Sequence, residues 1–154
     1  MKRLLIDLDV LTNAFWKGGL KDVSIQFLER VKAGEFELHT LYVLIESVMK
    51  WKDRILADKI LDFYKLYSRE IITVENLSEK LQETDLDYIG LSKELTKITN
   101  KEDDTDLVLI SSIFDLDFLV TFNRKHLRNK KEQILEFLKR KNIKPIKVVL
   151  PNEI

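Results

Sequence analysis

Cysteine is absent from the 154-residue chain. That excludes a disulfide framework, a thiolate zinc site and a cysteine nucleophile. Glycine and proline are scarce, at four and two residues, leaving little room for flexible linkers or low-complexity tracts. No stretch stays apolar for the roughly 18 residues a membrane helix needs. The apolar N-terminal run is broken by Asp7 and Asp9 and has no small-residue cleavage site of the signal-peptide kind. These absences set the expectation of a cytoplasmic protein with no membrane contact. No internal repeat is present. What remains is 45% hydrophobic and 34% charged, the balance of a globular protein. The length suits one domain, residues 1–154, burying about 70% of its unfolded surface.

The formal charge is zero but unevenly spread. From Asn123 onward ten Lys/Arg face three Asp/Glu, a net +7, and the preceding 122 residues carry −7. Such a run is ordinarily a solvated face; it also has the form of a phosphate-facing patch.

Periodicity predicts alternating elements. Lys2–Leu8 reads as a strand covered on both faces, and Asp22–Lys32 as a helix stopped by Gly34. Phe36–His39 reads as a second strand. Thr40–Lys52 predicts a helix apolar on most sides and therefore well buried. A helix over Asp53–Ser68 and a strand over Glu70–Val74 follow. Ser78–Ile98 is helical in two pieces, with Gly90 as the weak point. Then come a helix (Thr105–Phe114), a strand (Asp117–Phe122), an amphipathic helix (Glu132–Lys141) and a strand (Ile146–Leu150) closed by Pro151. This alternation predicts an α/β domain with a mostly parallel sheet, whose ligands gather at the carboxyl ends of the strands.

Several acids sit where an apolar pattern does not want them. Asp7 lies inside "LLIDLDVL", and burying an unpaired carboxylate costs several kcal/mol. Asp9 has two readings: a site residue, or the N-cap of a helix starting near Val10. Capping leaves Asp7 unexplained. Glu46 lies in "LYVLIESVMKW" with apolar neighbours, where a helical pair with Lys50 would contribute only about 0.3–0.5 kcal/mol. "KEDDTDLVLISSI" puts Glu102, Asp103, Asp104 and Asp106 at a helix start. Asp103 is an ordinary first-turn acid, but four acids exceed what capping needs, and a cation would relieve their repulsion. In "FLVTFNRKHL" a strand ends at Thr121, whose hydroxyl and the Asn123 amide fall at the same edge as the acids. Asn123 also suits a plain turn. His39 and His126 have no neighbouring histidine and read as structural or surface residues.

Acids from separated segments that meet at one sheet edge make an all-oxygen donor set, which suits Mg²⁺ or Mn²⁺ rather than zinc. Phosphodiester hydrolysis is the chemistry such a set serves best, and the basic C-terminal region would take the phosphates.

The ordered set of motifs resembles the PIN-domain ribonucleases, a family that includes the toxin halves of many toxin–antitoxin pairs. The resemblance spans nearly the whole chain. "LLIDLDVL" looks like the family's opening strand with its first acid, Asp7. "LYVLIESV" matches the segment of its glutamate, Glu46. "DDTDLVLISSIFDLDFLVTFNRKHL" matches its acid-led helix and following strand, placing the third acid on Asp106 and the fourth position on Asn123, and "VVLPNEI" looks like its closing strand. The resemblance implies a three-layer α/β/α sandwich with a mostly parallel central sheet, a Mg²⁺- or Mn²⁺-dependent endoribonuclease acting on single-stranded RNA, and a homodimer. If the chain is a toxin, it also implies a separately encoded antitoxin. Asp7, Glu46 and Asp106 would be metal ligands. Asp104 and Asn123 would belong to the catalytic set, with Asp9 and Thr121 supporting it, and Arg124, Lys125, Arg128, Lys130 and Lys131 would contact RNA. The chain departs from the pattern in two places. Asn123 stands where an aspartate is usual, and Ser111–Ser112 where small alanines are common.

Two other readings remain at this point. "DLDVLT" echoes the Asp-x-Asp-x-Thr of haloacid-dehalogenase-like phosphatases, with Asp7 as nucleophile, although Leu11 stands where that motif wants Thr or Val. A PIN-like module that binds RNA or protein without cleaving it is the other, and Asn123 keeps it open.

Overall fold

The computed structural model describes residues 1–16 and 21–154. Five parallel strands form one sheet: β1 (Arg3–Ile6), β2 (Glu37–Leu41), β3 (Ser68–Ile72), β4 (Phe118–Val120) and β5 (Lys147–Val149), ordered β3-β2-β1-β4-β5. The helices are α1 (Leu8–Phe15), α2 (Lys21–Lys32), α3 (Tyr42–Met49), α4 (Arg54–Tyr67), α5 (Val74–Thr84), α6 (Tyr88–Thr99), α7 (Glu102–Ile113) and α8 (Lys131–Arg140). Helix α1 packs on α2 and α4, while α6 packs on α7 and α8. The result is the expected three-layer α/β/α sandwich, its sheet parallel throughout. Among the described residues no helix is long and apolar enough to cross a membrane.

The strand order fixes where a site can form. From β1 the chain adds β2 and β3 on one side, then crosses over to place β4 and β5 on the other. The order reverses between β1 and β4, and the crevice outside their carboxyl ends is where open α/β sheets bind ligands. Leu4, Leu5, Ile6, Leu119 and Val120 are completely buried, so these two strands form the centre of the core. Helix α7 explains its own position. Every residue from Leu107 to Ile113 is buried, and a helix apolar all round must lie inside. The hydroxyls of Thr96, Thr99 and Thr105 link at 2.9 and 2.7 Å and dock its first turn on α6.

Four local expectations change. Helix α1 starts at Leu8, two residues early, because Asp7 is extended (φ −68°, ψ 152°) and its Oδ1 accepts from the Leu8 N–H at 2.8 Å. Asp7 is therefore the N-cap, and Asp9 lies in the first turn. The break between α5 and α6 falls at Asp85–Asp87 rather than at Gly90. Asp85 ends α5 in the left-handed region (φ 55°), and Asp87 caps α6 by accepting from the Gly90 N–H at 3.0 Å. A side chain at Gly90 would run into the Asp87 carboxylate, so this glycine serves the cap. Helix α3 buries only Leu44 and Val48 and leaves Met49 61% exposed, because just one face meets the core. The acids of "KEDD" lie within the first turn of α7, which begins at Glu102 rather than Thr105.

Candidate active site

Residues just beyond β1 and β4 close on each other. The Asp7 N–H extends the β1–β4 ladder to the Val120 carbonyl at 2.9 Å. One residue further along β4, the buried Thr121 hydroxyl donates to Asp7 Oδ2 at 2.8 Å and lies 3.3 Å from Asp9 Oδ2. A hydroxyl has one proton to give, so two carboxylates share it. Asp9 also accepts from the Phe122 N–H at 3.2 and 3.1 Å through its two oxygens. It thus ties α1 to the end of β4, a role the capping expectation did not contain.

Helix α7 brings the second group of acids. Asp7, Asp103, Asp104 and Asp106 line one cleft of about 190 Å³, with Val43, Leu44 and Ser47 of α3 on its other wall. Asp104 is buried and accepts from the Asn123 side-chain amide at 3.1 Å. Asn123 uses its remaining groups locally: its Oδ1 accepts from the His126 N–H at 3.0 Å and its N–H donates to Thr121 Oγ1 at 2.9 Å. Asp106 accepts from the Tyr88 hydroxyl at 2.6 Å.

Among the described residues no lysine or arginine forms an ion pair with Asp7, Asp9, Asp104 or Asp106. Burial, then the Asp9 charge, pushes the Asp7 carboxyl up to about 7 against the hydrogen bonds from Thr121 and Leu8. Burial also raises Asp9, Asp104 and Asp106, opposed by hydrogen bonds from Phe122, Asn123 and Tyr88 respectively. Burial and the contact with Asp106 raise the Tyr88 hydroxyl in turn.

The structure therefore brings together six expected residues: Asp7, Asp9, Asp104, Asp106, Thr121 and Asn123. Glu46 is exposed on α3 and is not among the residues lining the cleft, although the neighbouring Ser47 is. Its charge is felt by Tyr42, which also feels Asp106. Arg124 and Lys125 are exposed just past β4. Arg128 instead makes a two-pronged ion pair with Glu153, at 2.7 and 2.6 Å. Sequence reasoning set Asp103 aside, yet it lines the cleft. It also missed Tyr88, eighteen residues from Asp106 on a different helix, where no local pattern marks it. Both histidines serve as structure: His39 is buried beside Glu37, and His126 Nδ1 lies 2.9 Å from the Thr99 carbonyl.

The donor set fits a hard divalent cation in type, being all oxygen, and in charge, being uncompensated. Among the described residues no three His, Asp or Glu side chains are already drawn together as a cage. Mg²⁺ does not require one, since it keeps several waters and takes one or two carboxylates plus substrate phosphate. No protein-family model, no curated protein and no solved structure matches this chain.

Proposed function

We propose that this chain is a PIN-like, Mg²⁺- or Mn²⁺-dependent endoribonuclease that cuts single-stranded RNA. The observation that carries the reading is the meeting of uncompensated carboxylates at the switch point between β1 and β4. Carboxylates that meet no base destabilise a fold unless something else occupies the space between them. Asp7, with Asp104 and Asp106 from α7, would hold the ion, and Glu46, which does not line the cleft, is left out of the set. When bound, it supplies a water of lowered pKa and neutralises charge on the leaving oxygen.

The chain's own groups do the rest. Thr121 and the Phe122 N–H fix Asp7 and Asp9 in place. The Asn123 amide holds Asp104. An aspartate at position 123 could not donate that bond, so the departure from the family pattern suits this arrangement. Arg124 and Lys125, which are exposed, and the part-exposed Lys130 and Lys131 would take the phosphates. Arg128 is already committed to Glu153. A cytoplasmic location, a separately encoded antitoxin and a homodimer belong to the same proposal. Ile55 and Leu66 of α4, each 74% exposed, offer apolar surface to a second copy.

The non-catalytic module is the second reading, favoured by the lack of a preassembled ligand cage. End-labelled single-stranded RNA incubated with Mn²⁺, Mg²⁺ or EDTA separates the two. The nuclease cleaves only with metal, and Asp7→Asn lowers the rate by at least about 100-fold, the scale of losing a principal transition-state contact. Folded protein without metal-dependent cleavage, or an unchanged Asp7→Asn rate, defeats the proposal. Stoichiometric beryllium fluoride on Asp7 would instead mark the phosphatase.

A further inference from the structure

Each of the three acids assigned to the cation is gripped by a neutral donor from another element. Asp7 accepts from the Thr121 hydroxyl, Asp104 from the Asn123 amide and Asp106 from the Tyr88 hydroxyl. The first two donors lie at the end of β4. The third comes from the first residue of α6, a helix that lines none of the cleft. Its 2.6 Å separation is that of a phenol donating to an ionised carboxylate. Tyr88 therefore reaches Asp106 from outside the cleft and is not itself placed to touch an ion.

Packing alone does not call for this bond. Helix α6 is already fixed on α7 by the Thr96, Thr99 and Thr105 hydroxyls and by buried Leu91 and Leu95. Asp106 is only half-buried, so water could satisfy its carboxylate. What the bond does is choose a direction. It occupies Oδ1, while Oδ2 accepts from no donor among the described residues. Asp104 repeats the pattern, with Oδ2 held and Oδ1 free among those residues. A lysine or arginine in either place would cancel the charge a cation needs, whereas a phenol and an amide leave it intact. The Asp87 cap on the Gly90 N–H fixes the turn that carries Tyr88. Carboxylates that ligate metals are themselves hydrogen-bonded in this way. Tyr42 of α3 gives the contrast: its hydroxyl feels the Asp106 charge but forms no hydrogen bond among the described residues.

We propose that Tyr88 is a positioning residue of the cation site, holding Asp106 so that its free oxygen faces the ion. The inference rests on the cation reading of the cleft, and its test requires no cleavage. Mn²⁺ is titrated into RNA-free protein and the free ion is read by electron paramagnetic resonance. Tyr88→Phe keeps the ring and removes the hydroxyl; it should weaken Mn²⁺ binding by about 10- to 100-fold, the usual cost of losing a ligand's supporting hydrogen bond. Its melting temperature in EDTA should stay close to wild type, because the half-buried carboxylate can turn to water. Tyr42→Phe should bind Mn²⁺ like wild type. Saturating Mg²⁺ should also perturb the near-ultraviolet absorbance of tyrosine in wild type, since the ion draws charge from the carboxylate the phenol contacts. That signal should vanish in Tyr88→Phe.

Wild type that binds no Mn²⁺ removes the cation site and this role with it. Wild type that binds Mn²⁺, beside a folded Tyr88→Phe of equal affinity, keeps the cation site and removes Tyr88. A Tyr88→Phe protein that melts lower in EDTA yet binds Mn²⁺ like wild type makes the bond structural and also overturns the proposal. Equal losses in Tyr88→Phe and Tyr42→Phe overturn it too, by tracing the effect to the packing of α3 and α6. If Tyr88→Phe does not fold, the wild-type spectrum decides: Mg²⁺ that saturates the site without perturbing tyrosine absorbance overturns the assignment.

Discussion

Asp117 and Asp7 flank the same parallel sheet, one just before β4 and the other just after β1. Asp117 accepts from the Arg3 N–H at 2.8 Å and the Lys144 ammonium at 3.1 Å. Burial works against its charge, but these partners prevail and hold it below the usual carboxylate range. Beside it Glu37 meets His39, Arg69 and Arg3, and its carboxyl is lowered too. At the carboxyl ends Asp7, Asp9, Asp104 and Asp106 are all raised. Acids at the amino ends are matched by bases and hold strands in place. Those at the carboxyl ends form no ion pair among the described residues and are held by hydroxyls and amides, with Lys101 and His126 easing only Asp104 from a distance. One end is built for stability, and the other carries a cost that a cation would remove.

The sharpest way to separate the ends is to neutralise one acid at each. Asp7→Asn keeps a capping side chain and removes a desolvated charge. We expect at least about 100-fold lower metal-dependent cleavage, together with a gain of about 1–2 kcal/mol in unfolding free energy at pH 8. Asp117→Ala leaves the Arg3 N–H and Lys144 without an acceptor and should lose about 1–3 kcal/mol. Chemical denaturation reads both. If both substitutions shift stability in the same direction, the contrast between the ends is wrong.

Asn123→Asp should come next. It replaces the amide donor to Asp104 with a like charge, so stability at pH 8 should fall by about 1–3 kcal/mol. Thermal melts with added Mn²⁺ should recover much of that loss. A melting temperature insensitive to both the substitution and the metal would show that position 123 lies outside the cation's reach.

The smallest effect is expected in α7. Ser111 and Ser112 are buried, and neither hydroxyl has a partner among the described residues. Ser111→Ala and Ser112→Ala should each be neutral or stabilising by up to about 1 kcal/mol, since they remove an unpaired polar group. A loss of more than that from either would reveal a hydrogen bond the structure lacks.

The legible part of this molecule is what periodicity and burial control. The parallel α/β order and the placing of Thr121 at the same sheet edge as Asp7 followed from apolar runs ending at polar residues. The start of α1 was not legible. In "LLIDLDVL" apolar residues flank both aspartates as strand passes into helix, and the cap was expected at Asp9 and not at Asp7. The extended backbone at Asp7 gives the cap to that residue instead. Gly90 looked like a breaker because a lone glycine is read as a local weakness, whereas Asp87 needs its N–H. Tyr88 and the lining role of Asp103 come from how α6 and α7 pack, which no short window of sequence encodes. Glu46 stood out by its apolar neighbours, yet α3 turns only one face inward and leaves it exposed, outside the cleft lining.

The claim that the carboxyl-end acids form a cation site is tested most directly by unfolding free energy against pH, with and without Mn²⁺, for wild type and Asp7→Asn. The Asp7 carboxyl lies at about 7 in the folded protein against 3.8 for an ordinary aspartate. Its favourable contribution is therefore complete below about 3.8 and lost as pH rises through about 7. Without metal, wild type should weaken between about pH 4 and 7, and Asp7→Asn should be flatter over that range. At pH 8, Mn²⁺ at one hundred times its dissociation constant should stabilise wild type by about 2.7 kcal/mol and Asp7→Asn far less. A wild type that gains nothing from Mn²⁺, or an Asp7→Asn protein that gains as much, would contradict the account.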